Sequence, residues 1–260
     1  MAEEGILKIE NLNKSFDGLK AVKDFNLILK ECELCGLIGP NGAGKTTVFN
    51  LITGFYKPDS GKIIFQNKDI TNLLPHQIVH LGISRTFQNI RLFNNLTVLE
   101  NILFAFNYQI NYSTTESILR IGNFKKVEKE VKEKCYQFLK LFDLEKKVNI
   151  LAKNLPYGEM RKLEIARALA LNPKLLLLDE PSCGMTIGET SLLMDLIKFI
   201  KEKFKLTIFI IEHQMRVIMN LCERIVVMDF GEIIAEGKPE EIQNNPKVIA
   251  AYLGREYALH

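Results

Sequence analysis

No stretch of this 260-residue sequence approaches the roughly 18 to 20 continuous apolar residues that a membrane-spanning helix requires. Neither sign of charge is in excess: 34 lysines and arginines face 31 aspartates and glutamates, a formal net charge of +3. That is too close to balance for a nucleic-acid binder relying on a basic face, so any polyanion must be held locally. The five cysteines are odd in number and lack framework spacing, so no disulfides are expected in a reducing compartment. Cys32 and Cys35 form a CxxC, but there is no second pair for zinc, and an apolar run opens at Gly36. A structural pair beside a strand is therefore expected rather than a redox site. The opening "MAEEGILKIENL" has neither the basic start nor the apolar core of a signal peptide, so a cytoplasmic chain is the expectation. Long linkers, low-complexity tracts and internal repeats are missing as well. What remains is an ordinary globular composition, 47% apolar, enough to fill the core of one large domain or two small ones.

The N-terminal third alternates short β-like runs with turns: "GILKIENL", "FNLILKECELCGLIG" and "KIIFQ". Pro58, Asp59, Ser60 and Gly61 form a turn, since proline presets φ and glycine relieves strain. After "GISRTFQ" the period changes from 2 to 3.6. "NLTVLENILFAF" opens with Thr97 and Glu100 as a capping box and with Leu96 placed as a staple. From Val127 through Val131, Cys135, Phe138 and Phe142, apolar residues recur at helical spacing among lysines that read as a solvated face. Residues 91–155 are thus expected to be a mostly helical insertion. Then "MRKLEIARALALNP" reads as a helix, "KLLLLDEP" as a buried strand, "TSLLMDLIKFIKEKF" as a helix and "LTIFIIEH" as another buried strand. Continuous apolar strands alternating with helices imply a parallel sheet covered on both faces, with binding chemistry at the strands' carboxyl ends. The tail from Gly237 predicts a short helix with Pro239 near its start, then a second one.

Gly39 to Thr46, "GPNGAGKT", fits the phosphate-cradling pattern G-x-x-x-x-G-K-[ST], in the strand-loop-helix setting that it needs. Gly39, Gly42 and Gly44 let the main chain curl towards an anion, and the loop's N–H groups and the helix N-terminus supply positive potential. Around them Pro40, Asn41 and Ala43 complete the loop. Lys45 is placed to reach the β- and γ-phosphates and Thr46 to ligate Mg²⁺, with Thr47 following. The strand "KLLLLDEP" ends in Asp179 and Glu180. Asp179 suits a magnesium site through water, and Glu180 suits polarisation of an attacking water.

In this order, "GPNGAGKTT", "RTFQNIRLF", "LPYGEMRKLEIARAL", "LLLLDEP" and "IIEH" resemble the ATP-binding cassette ATPases of membrane transporters, over essentially the whole chain. The resemblance implies an α/β P-loop NTPase fold with a RecA-like parallel core, an N-terminal antiparallel β-subdomain and an inserted helical subdomain. Residues 1–90 would carry the nucleotide-binding core with its β-subdomain, 91–155 the helical subdomain, 156–237 the rest of the core and 238–260 a helical tail. It further implies that Gln88 senses Mg²⁺ and the γ-phosphate, that His213 contacts the γ-phosphate and helps place Glu180, and that Phe16 stacks on adenine. A core phenylalanine is the plainer reading of Phe16, and a structural residue that of a lone histidine after a strand.

The family's signature loop, Leu-Ser-Gly-Gly-Gln, aligns with "LPYGE". There Tyr157, Gly158 and Glu159 would open a helix onto the γ-phosphate of the opposite subunit, so the resemblance implies a dimer. Two departures stand out. Pro156 and Tyr157 replace the serine and first glycine, and Thr186 stands where most members place an aspartate. By the resemblance both act on the partner's site, whereas Lys45, Asp179, Glu180 and His213 are intact; that asymmetry implies an unlike partner, with a homodimer of this chain alone as the alternative. Gln214 replaces an acidic residue to which no role is given. "RTFQNIRLFNNLTVLEN", "GMTIGET" and "NNPKVIAAYLG" are similar to the first of the two ATPases of high-affinity branched-chain amino acid importers, which carry leucine, isoleucine and valine. That similarity implies permease subunits, a second ATPase, an extracytoplasmic binding protein and a peripheral site on the cytoplasmic side of the plasma (inner) membrane. The runners-up are urea and amide importers and a lipopolysaccharide-export ATPase. A soluble cassette of DNA repair or translation would need a long coiled coil or two cassettes, and neither is present; a P-loop kinase would need an acceptor pocket and a basic lid, whereas the insertion here ends in a signature-like loop.

Overall fold

In the computed structural model of the chain, residues 5–107 and 124–256 are described. They divide into two compact units, the first made of the residues up to Arg85 and from Lys174 onwards, the second of Thr86–Pro173.

The first unit contains two sheets. β1 (Leu7–Phe16) and β2 (Leu19–Leu29) form a hairpin whose turn, Asp17 and Gly18, has the positive φ angles that Asp-Gly turns supply. β4 (Ser60–Phe65) pairs on the other side of β1, and the short β5 (Lys68–Asp69) completes an antiparallel sheet of order β2-β1-β4-β5. Its inner face follows the period of 2 through Leu7 and Ile9, then skips to Leu12 at a bulge. Gly61 lies against that bulge at φ 94°, where a Cβ would come within 2.4 Å of the Asn11 carbonyl oxygen. The turn legible in "KPDSG" thus needs its glycine for space as well as conformation.

The second sheet has six strands in the order β10-β9-β3-β8-β7-β6. β3 (Leu34–Ile38), β7 (Leu175–Asp179) and β8 (Thr207–Ile211) are buried at every position, as parallel strands covered on both faces should be. β6 (Ile83–Arg85) and β9 (Arg224–Asp229) continue the parallel set, and β10 (Glu232–Gly237) closes it antiparallel to β9. The helices of this unit are α1 (Lys45–Ile52), α2 (Pro75–Leu81), α6 (Ile187–Phe204), α7 (Met215–Leu221), α8 (Pro239–Gln243) and α9 (Pro246–Glu256). The last two are the tail helices expected from Pro239. α2, α7, β9 and β10 add to the elements read from the sequence. α2 buries only Ile78, too little to give a helical period. Phe49 of α1 meets Phe209 of β8 with ring centroids 5.2 Å apart, inside a continuous apolar core.

The second unit is helical: α3 (Val98–Asn107), α4 (Phe124–Lys140) and α5 (Tyr157–Leu169), with two 3₁₀ turns at Glu145–Lys147 and Ala152–Asn154. Val131, Cys135 and Phe142 are buried and Phe138 is half-buried, as the periodicity predicts, while Lys132, Lys134 and Lys140 face solvent. The side chain of Val127 lies outside the described residues. The capping box is formed: Glu100 accepts from Thr97 N (2.7 Å), and Thr97 Oγ1 accepts from Glu100 N (3.2 Å). The expected staple is replaced, because the position that would meet Leu96 is Asn101. Its buried amide donates to the carbonyls of Phe93 (3.1 Å) and Thr97 (3.0 Å), so hydrogen bonds instead of an apolar contact set the entry of the chain. Among the described residues no helix is long and apolar enough to cross a membrane. All five cysteines are free; Cys35 is buried in β3, and Cys32 is exposed and donates its thiol to the Lys205 carbonyl.

Truncating Phe49 to alanine removes a fully buried ring from the contact between α1 and β8. Equilibrium denaturation should show a loss of about 3–5 kcal/mol, and a loss below about 1 kcal/mol would mean that the core closes without it.

Candidate active site

β3, β8 and β7 are neighbours in the parallel sheet, and all three release their loops at the same carboxyl edge. The loop after β3 runs from Gly39 to Gly44 before α1 begins at Lys45. Gly39, Gly42 and Gly44 have φ of 151°, 81° and 102°, a region in which side chains are strained. Two of them are also constrained by space. A Cβ on Gly39 would lie 2.1 Å from the Met228 carbonyl oxygen, and one on Gly44 2.2 Å from that of Ala21. Gly42 has nothing within 4 Å, so conformation alone demands its glycine. The loop is tied at its back by Gly231 N, which donates to Ala43 O at 3.0 Å. Lys45 is buried, and its ammonium donates to the carbonyls of Gly39 (2.7 Å) and Pro40 (2.9 Å). Asn41 and Thr46 are exposed, and Thr47 is half-buried.

The loop after β7 carries the two carboxylates. Asp179 is buried, and its Oδ2 accepts from Arg85 Nη2 at 2.7 Å. Arg85 also donates to Asn50 Oδ1 (2.7 Å) and Thr53 Oγ1 (3.3 Å) of α1 and its cap, and lies 5.5 Å from the Phe49 ring centroid. Burial pushes the Asp179 carboxyl up from its ordinary value against the pull of Arg85. Glu180 would point to the opposite sheet face if the strand continued. Instead its φ is 47°, which re-aims the side chain, and its N–H donates to Ile211 O at 2.9 Å. Glu180 Oε1 then lies 2.6 Å from Nε2 of His213, which follows β8. Consecutive carboxylates with separate partners thus follow from one left-handed residue. Glu212, next to the histidine, is buried too, and burial raises its pKa.

Phe16, at the end of β1, is 37% exposed and meets Tyr56 edge-on at 5.1 Å. It is therefore not a core phenylalanine. Thr186 caps α6: its Oγ1 accepts from Glu189 N (3.3 Å) and the Glu189 carboxylate returns to Thr186 N (2.9 Å).

Gln88, Tyr157, Gly158 and Glu159 belong to the second unit. Pro156 is the N-cap of α5 and gives no side-chain cap bond. Glu159 is paired with Lys147 at 2.5 Å. Arg161, one turn into α5, is fully buried and donates to the carbonyls of Phe87 (2.8 Å) and Gln88 (2.9 Å) and to Glu164 (2.8 Å). Glu164 in turn accepts from Arg91 N at 3.0 Å. The backbone around Gln88 is thus fastened to the helix that Tyr157 opens. Arg85, Arg161, Glu164 and Glu212 escaped the sequence reading. Their one signal is a charged residue inside an otherwise apolar strand or helix face.

Replacing Arg85 by methionine leaves the Asp179 carboxylate buried without its cation. Thermal or chemical unfolding should show a destabilisation of about 3–5 kcal/mol, as breaking one side of a buried pair does; an unchanged melting curve would remove the pair from the account.

Comparison with known proteins agrees with this geometry. A family model described as ABC transporter matches residues 22–183, and one described as branched-chain amino acid ATP-binding cassette transporter matches 232–258. The chain is 43% identical over 249 residues, 96% of its length and 98% of the relative's, to the high-affinity branched-chain amino acid transport ATP-binding protein LivG of Salmonella typhimurium. Among solved structures it matches the ADP conformation of MJ1267, an ATP-binding cassette of an ABC transporter, with TM-score 0.83 and 36% identity over 96% of this chain and 99% of that one. It also matches a dimeric post-hydrolysis state of the cassette MJ0796 bound to ADP and Pi, with TM-score 0.76 and 28% identity over 90% of this chain and 98% of that one. With a glycine-lined loop, a carboxylate–histidine pair and these relatives together, the chain belongs to the ABC transporter family, as one of its ATP-binding proteins.

Proposed function

We propose that the chain hydrolyses ATP at the carboxyl edge of its six-stranded sheet and couples this to uptake of leucine, isoleucine and valine through membrane permease subunits. The observation that carries the catalytic part is the 2.6 Å contact of Glu180 with His213, on the loops that leave β7 and β8, the two strands next in order from β3. Relatives named as branched-chain amino acid transport proteins, at 43% identity over 96% of the chain, support the cargo, as does the match at 232–258.

ATP enters with its phosphates against the N–H groups of Gly39 to Thr47 and its adenine on the exposed ring of Phe16. The ammonium of Lys45, held by two loop carbonyls, turns towards the β- and γ-phosphates as they arrive. Glu180 takes a proton from water as that water attacks the γ-phosphorus in line and the bond to the β–γ bridging oxygen breaks, giving ADP and phosphate; His213 fixes the carboxylate and meets the γ-phosphate. Lys45 offsets charge that develops on the phosphoryl oxygens. Thr46 and Asp179 would hold Mg²⁺, which neutralises phosphate charge when bound. A single buried carboxylate and a hydroxyl suit an ion that keeps waters and phosphate oxygens as ligands, and no cluster of three metal-ligating side chains occurs among the described residues.

Tyr157, Gly158 and Glu159 would complete the site on the partner ATPase. Pro156 and Tyr157 make that face unlike the usual signature, so a second, different ATPase is the partner that fits. The assembly would sit on the cytoplasmic side of the plasma membrane, fed by an extracytoplasmic binding protein.

Reconstitution with two permeases and the second ATPase tests both parts. Glu180→Gln should retain ATP binding while turnover falls at least about a hundredfold, and leucine uptake should fall with it. Near-normal turnover would defeat the base assignment. Hydrolysis without uptake of leucine, isoleucine or valine would overturn the cargo and leave the ATPase standing.

A further inference from the structure

The carboxylate of Glu212 has no part in the chemistry above. It is 2% exposed, more deeply buried than Glu180 beside it. Among the described residues its oxygens meet hydrogen-bond donors, and no lysine or arginine is paired with it. One oxygen accepts from Ser182 N at 2.7 Å and the other from His213 N at 3.2 Å. A buried carboxylate without a cation costs stability that an apolar side chain would not, so its contribution is to be sought in geometry.

Ser182 lies two residues after Glu180, and His213 directly follows Glu212. One side chain therefore bridges the loop that carries the base and the loop that carries the histidine. Glu180 has a left-handed backbone, a conformation that persists only where its surroundings over-determine it. Its own N–H is held by Ile211 O (2.9 Å), and its carbonyl accepts from Cys183 N (3.2 Å). The Ser182 N–H bond to Glu212 is the link that ties this turn to the His213 backbone. Only a carboxylate offers acceptors on both oxygens; an amide would set its NH₂ against one of the two N–H donors.

We propose that Glu212 is a positioning residue for hydrolysis, clamping the N–H groups of Ser182 and His213 so that Glu180 stays within hydrogen-bond reach of the histidine. The inference rests on the reading of Glu180 and His213 as the hydrolytic pair.

The test is a double-mutant cycle in the full chain assembled with its partner subunits, using Glu212→Gln, His213→Ala and both together. Glu212→Gln should lower kcat on the order of 10- to 100-fold through misplacement, with the ATP dissociation constant within about twofold of wild type, the split expected when ground-state binding is untouched. In the His213→Ala background the same change should cost far less, because both substitutions disable one unit. A purely structural role would move the melting temperature and ATP affinity and would add to the His213 effect. Unchanged kcat in Glu212→Gln, or additive losses, overturns the clamp. If Glu212→Gln does not fold, the cycle runs with Glu212→Asp, which keeps two acceptors on a shorter arm and should give a smaller loss with the same non-additivity. Normal turnover in His213→Ala would overturn the pair itself, and the clamp with it.

Discussion

A phosphate-binding loop works only if its backbone N–H groups stay uncovered and in place, and that requirement shapes much of the first unit. The loop is bare because Gly39 and Gly44 are pressed by the carbonyls of Met228 and Ala21 at 2.1 and 2.2 Å from where a Cβ would lie. Those carbonyls belong to β9 and β2, one from each sheet. Both sheets therefore set the curvature of a loop that belongs to neither. The turn after β9 adds a hydrogen bond from Gly231 N to Ala43 O and one from Lys23 N to Gly231 O, so it braces the loop and β2 at once. Distortion in either sheet would be felt first where the anion is to sit.

The edge that receives this anion is crowded with buried charge, handled in two ways. Asp179 is met by a cation, and Arg85 links it to α1 through Asn50 and Thr53, so this carboxylate and the helix after the loop share one anchor. Glu212 is met by backbone N–H groups instead. The difference suits their surroundings. A side-chain cation can shift when a charged ligand arrives, whereas backbone donors hold two loops at a fixed spacing. In the second unit the Arg161–Glu164 pair combines both methods, bonding to each other and to the backbone of residues 87, 88 and 91.

The parts legible in the sequence are those whose signal is local. Continuous apolar runs announced β3, β7 and β8, glycine spacing announced the loop, and Thr97 with Glu100 announced the start of α3. The missed parts are those whose cause lies far along the chain. Arg85 and Asp179 are 94 residues apart, Arg161 and the Phe87 carbonyl 74, and Ser182 and Glu212 30. No periodicity encodes such pairs. The left-handed turn at Glu180 was equally hidden, since glutamate gives no hint of positive φ; only the problem it solves, two adjacent carboxylates at the end of one strand, was visible. Leu96 shows the converse error, a local pattern of the right shape defeated by the one residue, Asn101, that it had to meet.

Thr186 carries the same logic to the departures from the family pattern. Its hydroxyl and N–H are both spent on the first turn of α6, the hydroxyl within 2.8 Å of the Glu189 carboxylate and also accepting from Glu189 N. An aspartate there could also cap the helix, but it would set a second negative charge against Glu189. The threonine gives a neutral cap whose release, at about 1 kcal/mol, would precede any contact made across an interface. Pro156 acts similarly at the other departure, with its φ of −55° closing the entry to α5 and offering no hydroxyl. At Thr186 the side chain is given over to its own helix, and at Pro156 no polar side chain is left to reach outwards. Neither position leaves a free side-chain hydroxyl for a neighbouring chain, while the sheet edge keeps Lys45, Asp179, Glu180 and His213 together.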